Sequence, residues 1–180
     1  MPKSRRGFHS LAISGQCCSG KSTLCKLLSR ELKWNHVNVG MEFRRLSAIE
    51  DLKIEDFGSI PDASLRKVDE QIRQRIQNEV NKIWDGRLTC YLAHDNTRIF
   101  KIFCIATFGI RVERCANRDN ISLEEANRKV EAHDIEESNV FKRLYGFSNP
   151  YNERWVDLQL DTSYASPEIL VDKVKQILSR

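Results

Sequence analysis

The segment Gly15-Gln16-Cys17-Cys18-Ser19-Gly20-Lys21-Ser22 satisfies the spacing G-x-x-x-x-G-K-[ST], and it restricts the fold more tightly than any other stretch of the chain. Gly15 and Gly20 have no Cβ, so the backbone can turn sharply and aim successive N–H groups inward, making a concavity for phosphate oxygens. Such a loop needs a strand before it and a helix after it. His9 to Ser14 reads as a short buried strand, and Thr23 to Leu32 has apolar residues at helical spacing. The backbone of Gly15, Gln16, Cys17, Cys18, Ser19 and Gly20 then forms the phosphate cradle. The positive N-terminal end of the helix adds to it, Lys21 reaches β- and γ-phosphates, Ser22 is placed to ligate Mg²⁺, and Thr23 adds a contact to the α-phosphate. The implied ligands are ATP and Mg²⁺.

At 180 residues the chain is expected to form one domain, 1–180, with a core that needs neither metal nor disulfide. Charged residues make up 30% and the net charge is +4, which suits a small polyanion and is no evidence for nucleic-acid binding. Lys3, Arg5 and Arg6 read as a solvated tail. No apolar run reaches the length of a membrane span and Met1 to Phe8 lacks the apolar centre of a signal peptide, so a cytoplasmic location without membrane partners is expected. The six cysteines contain no C-x-x-C pair and read as free thiols. Cys104 belongs to the core, while Cys17 and Cys18 contribute mainly backbone.

Asn35 to Gly40 reads as a second strand, followed by Met41 to Leu46 at helical spacing. Ligands of parallel sheets bind beyond the carboxyl ends of the strands, so Arg44 or Arg45 lies where a second phosphate is met, or else on a solvated helix face. Asp56-Phe57-Gly58 matches a protein-kinase triplet, but neither a catalytic loop of the H-R-D type nor the matching glycine loop is present. Ala63 to Val80 reads as an amphipathic helix with Leu65, Val68, Ile72, Ile76 and Val80 on one face. Lys82-Ile83-Trp84 ends at Asp85-Gly86-Arg87. Asp85 there is suited to a Mg²⁺-bound water opposite Ser22, or it initiates a turn with Gly86, and Arg87 is suited to an acceptor phosphate. Lys101 to Thr107 is the clearest inner strand, and its helix, Ile110 to Arg118, carries Arg111, Arg114 and Arg118. Ser122-Leu123-Glu124-Glu125 is a capping box opening a charged segment that runs to Tyr145. Val156 to Asp161 is a last strand, and Ser166-Pro167 starts a final helix. Five strands alternating with helices predict a parallel α/β sheet. Pattern alone leaves the strand order open.

These residues resemble the small P-loop nucleoside monophosphate kinases, and within them the archaeal-type cytidylate kinases, over nearly the whole chain. The likeness is carried by Ser14-Gly15 with Ser19-Gly20-Lys21-Ser22-Thr23, by Gly40 and Phe43-Arg44, by Val68-Asp69 and by Asp85-Gly86-Arg87-Leu88. It continues through the arginine-rich helix Arg111 to Arg118, Ser122 to Ala126 and Leu144-Tyr145-Gly146. It ends with Val156 to Ser163 and Ser166-Pro167-Glu168. The resemblance implies a three-layer P-loop sandwich with strand order 2-3-1-4-5, an acceptor-binding insert at about 41–80 and a lid at about 119–150. It assigns Lys21 and Arg114 to transition-state charge, Arg44, Asp69 and Arg87 to the acceptor, Asp85 and Ser22 to Mg²⁺, and Arg118 or Arg128 to lid closure, with Arg128 toward the acceptor. It also implies phosphoryl transfer from ATP to CMP or dCMP by a monomer or weak dimer.

Several positions depart from the family pattern. Met41 stands where an acid is usual, Asp85 replaces glutamate, and the arginines of an R-E-x-S-D-x-x-R-Y lid pattern fall on His133 and Val140, with Arg143 as the nearest basic replacement. Two alternatives therefore stay open: a kinase for a modified nucleotide or another small phosphorylated metabolite, and a nucleotide-binding regulatory protein with weak or no transfer.

Overall fold

β1 (Ser10–Gly15) is buried along its whole length because it lies between two parallel neighbours and carries helices on both faces. A computed structural model describes residues 7–49, 61–149 and 153–179; Lys3, Arg5, Arg6 and Asp56-Phe57-Gly58 lie outside them. The other strands are β2 (Asn35–Asn38), β3 (Lys82–Asp85), β4 (Ile99–Ile105) and β5 (Leu158–Asp161). All pair in parallel, in the order β2-β3-β1-β4-β5. The expected sheet and its order are therefore present.

Period-two alternation divides the core. Leu11 and Ile13 of β1, with Phe100, Ile102 and Cys104 of β4, face α1 (Lys21–Leu32) and α7 (Pro167–Leu178), where Leu28, Val174 and Leu178 fill the layer. Ala12 and Trp84 face the other side, against Val68, Ile72 and Ile76 of α3 (Asp62–Asn78) and Leu92 of the short α4 (Thr89–Leu92). α5 (Phe108–Asp119) and α6 (Leu123–Tyr145) pack on each other through Val112, Cys115, Ala126 and Val130. α2 (Val39–Ile49) follows β2 directly.

Helix starts match their local chemistry. Ser122 Oγ accepts a hydrogen bond from Glu125 N at 3.1 Å, and Ser166 Oγ accepts one from Ile169 N at 3.4 Å with Pro167 in the first turn. Several boundaries differ from expectation, three of them with a visible reason. The second strand stops at Asn38 because the next helix already begins at Val39. α3 ends at Asn78, so Val80 leaves the apolar face and is 53% exposed. The inner strand begins at Ile99 and ends at Ile105, where Thr107 becomes the residue before α5.

Lys101 lies inside β4 and is almost buried; its ammonium donates to the carbonyls of Ile99 at 2.9 Å and Asn96 at 3.2 Å and pairs with Asp157 at 3.4 Å. A buried charge held this way is satisfied rather than spare.

Leu28 is fully buried between α1 and the sheet. Leu28→Ala is expected to lower the unfolding free energy by about 2–5 kcal/mol through lost burial plus a residual cavity. Urea denaturation should show a lower midpoint with an unchanged slope.

Candidate active site

The loop between β1 and α1 is shaped by two glycines. A Cβ at Gly15 would lie 2.5 Å from the Cys104 carbonyl oxygen and 2.7 Å from Ser19 Oγ, so no other residue fits there. Gly20 sits at φ +80° as the residue before α1 and supplies no side-chain cap. The first N–H groups of the helix are thus left without an intrahelical or capping partner. Ser19 Oγ and Arg111 Nε are buried with no hydrogen-bond partner among the described residues. A glycine-only cradle, an uncapped helix start and orphaned polar atoms together fit a bound polyphosphate. Gln16, Cys17, Cys18, Lys21 and Ser22 are half-buried around it and Thr23 is exposed.

Asp85 ends β3 beside this loop, because β3 is the direct neighbour of β1 and Asp85 pairs in register with Ile13. The turn after it requires Gly86, where a Cβ would meet Val39 Cβ at 2.8 Å and Thr89 Cγ2 at 2.9 Å. The Ser22 hydroxyl is near enough to Asp85 to favour its ionised form, and His36 Nε2 lies 3.1 Å from Asp85 Oδ2. Burial works against ionisation of Asp85, but the His36 hydrogen bond, the Lys21 charge and the Ser22 hydroxyl outweigh it and hold the carboxyl below its usual range. A hydroxyl and an ionised carboxylate are hard oxygen donors of the kind Mg²⁺ takes.

Cationic side chains form the remaining walls. Arg114 donates to Thr162 Oγ1 at 3.1 Å and to the Thr162 carbonyl, and its Nη1 would be 3.5 Å from a Cβ at Gly20, so it stands against the loop. Arg87 is held by α6, with Nη2 at 2.8 Å from His133 Nε2 and Nη1 at 3.2 Å from Glu137 Oε2. Arg111, buried, makes a two-pronged pair with Asp134 at 2.7 and 3.1 Å and reaches the Cys17 carbonyl at 3.4 Å. The exposed Arg118 pairs with Asp119 at 2.7 Å, and its charge acts on both loop cysteines.

The remaining residues singled out by motif and resemblance are placed less centrally. Asp69 is buried on α3 and accepts a hydrogen bond from Tyr145 Oη. Arg44 is exposed on α2. Arg128 is exposed, 3.6 Å from Glu124 one turn away, and lines a surface hollow with Gly109, Val112 and Asn127; it does not join the loop residues. Val140 packs with Leu65 and Leu144, so the position patterned for arginine is core. Arg143, the nearest basic replacement, pairs with Asp62 at 2.7 Å at the start of α3.

Four residues carried no role in sequence. Thr162 Oγ1 donates to the Ser19 carbonyl at 2.6 Å, fastening β5 to the loop. His36 orients Asp85, and His133 with Glu137 holds Arg87. The alternation that exposes His36 to the same side as Asn38 was visible; its partner on β3 was not.

This arrangement defines an ATP-dependent kinase built on a P-loop sheet. Residues 41–164 match the cytidylate kinase-like family, and the chain belongs to that family. It is 30% identical over 172 residues to the cytidylate kinase of Pyrococcus abyssi, covering 93% of this chain and 91% of that one. It is 29% identical over 173 residues to the cytidylate kinase of Sulfolobus acidocaldarius, covering 94% of each. Among solved structures, shikimate kinase from Acinetobacter baumannii in complex with shikimate superposes with a TM-score of 0.62 at 11% identity, covering 99% of this chain and 97% of that one, which is a likeness of fold alone.

Burial pushes the Asp69 carboxyl up to about 6 from 3.8, and the Tyr145 hydrogen bond offsets only part of this. Between those values the native state holds a proton that the unfolded chain has released, so the contribution of Asp69 to stability falls as pH rises across this window and stays low above it. Asp69→Asn removes the dependence. Its stability relative to the parent should grow by at most about 3 kcal/mol from the lower to the upper end of the window, then level off. Urea titrations across the window measure the difference.

Proposed function

We propose that the protein transfers the terminal phosphoryl group of ATP to a pyrimidine nucleoside monophosphate, CMP or dCMP, giving the diphosphate and ADP. The supporting observation is the nearness of the Ser22 hydroxyl to the ionised Asp85 beside the cradle, with Arg87 following two residues after Asp85. Membership of the cytidylate kinase-like family supports the acceptor class.

The acceptor phosphate oxygen is already ionised near neutral pH, so no general base is needed. Catalysis then rests on positioning and on cations facing the charge that develops during transfer. In this scheme the loop from Gly15 to Thr23 binds the triphosphate, and Lys21 and Arg114 face the transferring group. Arg87 and Arg44 bind the acceptor phosphate, and Asp69 with Tyr145 lines the acceptor wall. Ser22 and Asp85 would hold Mg²⁺, which when bound supplies charge neutralisation across the β- and γ-phosphates. Residues 41–80 serve as the acceptor-binding insert and 119–150 as the lid, with Arg118 joining the site as the lid closes.

A second scheme, a nucleotide-binding regulator with weak transfer, draws support from Val140 in the core and from the α6 acids that occupy Arg87 and Arg111. It differs in one respect: ATP binds, but transfer to any acceptor is weak or absent.

A coupled assay for ADP release over a panel of monophosphates separates the two. CMP or dCMP should give the fastest turnover; thermal stabilisation by ATP with no ADP release from any acceptor would sink the kinase assignment. Lys21→Met should lower kcat by about 10²–10³. Arg87→Ala should cost a similar factor in kcat/KM for the acceptor while leaving the KM for ATP nearly unchanged. Chelation of Mg²⁺ should abolish turnover and readdition restore it.

A further inference from the structure

Cys17 and Cys18 supply backbone to the phosphate loop, and nothing in phosphoryl transfer calls for their sulfurs. The sulfurs nevertheless converge, with Sγ–Sγ at 3.6 Å. Neighbouring side chains of an extended chain point to opposite sides. Here the chain turns, and Cys18 takes the left-handed φ of 59°, a conformation that few residues other than glycine adopt. Arg111 grips the Cys17 carbonyl and steadies the turn.

Both thiols are only half-buried, whereas Cys25, Cys90, Cys104 and Cys115 are buried. The two also differ from one another. The hydrogen bond from Cys18 pulls the Cys17 thiol down against the effect of burial, with help from the charges of Arg118 and Lys21. The same hydrogen bond, with burial, pushes the Cys18 thiol up. Burial above all pushes Cys90 up to about 11 and Cys104 up to about 12. One loop sulfur is therefore drawn toward the nucleophilic thiolate and its neighbour toward the protonated thiol, at contact distance.

We propose that Cys17 and Cys18 form a covalent modification site for hydroperoxides, at which oxidation to a disulfide between the two neighbours withdraws the loop from phosphate binding. In the first step the Cys17 thiolate attacks the terminal hydroxyl oxygen of the hydroperoxide. The S–O bond forms, the O–O bond breaks, the departing alkoxide or hydroxide takes up a proton, and Cys17 becomes a sulfenic acid. In the second step the Cys18 sulfur attacks the Cys17 sulfur. The S–S bond forms, the S–O bond breaks, and the leaving hydroxide combines with the thiol proton as water. The balance is one dithiol and one hydroperoxide giving one disulfide, one alcohol or water, and one further water.

Consecutive Cα atoms are about 3.8 Å apart, below the roughly 4.4–6.8 Å that a disulfide prefers. The ring is therefore strained and readily reduced, which makes the modification reversible by cellular thiols. Closing it re-aims the N–H groups of the cradle and draws the Cys17 carbonyl from Arg111. The chemistry depends on the loop binding phosphate but not on which acceptor is used.

The test uses the full-length reduced protein treated with hydrogen peroxide, followed by intact mass, peptide mapping and titration with a fluorescent ATP analogue. The mass should fall by two hydrogens, mapped to Cys17 and Cys18, with nucleotide affinity weakened at least about tenfold and restored by dithiothreitol. Each variant is compared with its own reduced form. Cys17→Ser should show no peroxide-dependent change in affinity, while Cys18→Ser should accumulate a dimedone-reactive sulfenic acid at Cys17. The proposal is overturned if peroxide acts first on Cys25, Cys90, Cys104 or Cys115. It is also overturned if the disulfide forms with affinity unchanged, or if Cys17→Ser loses affinity as the parent does. Absence of CMP kinase activity alongside the expected oxidation would refute the acceptor assignment alone.

Discussion

The close approach of Gly15 to the Cys104 carbonyl is the contact on which the rest of the structure depends. It requires the bare backbone of glycine at the end of β1, and it brings the chain round so that α1 starts with its N–H groups free. Parallel pairing then brings the ends of β3, β4 and β5 to the same edge of the sheet as that loop. Asp85 arrives there from β3, and Thr162, just past β5, binds both the Ser19 carbonyl and Arg114. One loop geometry thereby organises residues from distant parts of the chain.

Around that loop, guanidinium groups are held by carboxylates of α6. Glu137 takes Arg87 and Asp134 takes Arg111. A buried or half-buried cation needs a partner, and removal of one partner costs more than the pair contributes. Phosphate oxygens offer the same two-pronged acceptor geometry as a carboxylate. The acids of α6 therefore keep the arginines aimed while competing with any phosphate that enters. The C-terminal half of the same helix is anchored by Val140, Phe141 and Leu144, and by an aromatic group in which Tyr91 lies against Tyr145, Phe147 and Trp155 with ring centroids 4.9–5.3 Å apart.

Local rules accounted for much of this. The glycine spacing of the loop, the capping serines at 122 and 166, and the buried run of β4 are short-range patterns with short-range causes, and they appear close to where periodicity puts them. Val80 shows where such rules stop. It continues the apolar face of α3 by spacing, but the helix unwinds at Glu79, whose side chain is taken by Arg75 and Lys82. Val140 and Arg143 show the same limit at the site. A pattern of charges along α6 does not say which residue packs on Leu65 and which pairs with Asp62, because that is set by the rotation of α6 against α3.

What the amino-acid sequence determined by itself is the phosphate loop and the class of sheet behind it, since glycine, lysine and serine at this spacing between a strand and a helix shape the backbone into a concavity. Strand order followed from likeness to a family, not from pattern. Only the tertiary structure decided which acids of α6 hold Arg87 and Arg111, how His36 reaches Asp85, and that two adjacent cysteine sulfurs meet. Those are contacts between segments far apart in the chain or on opposite sides of a turn, and their distances depend on register and helix rotation that no local spacing encodes.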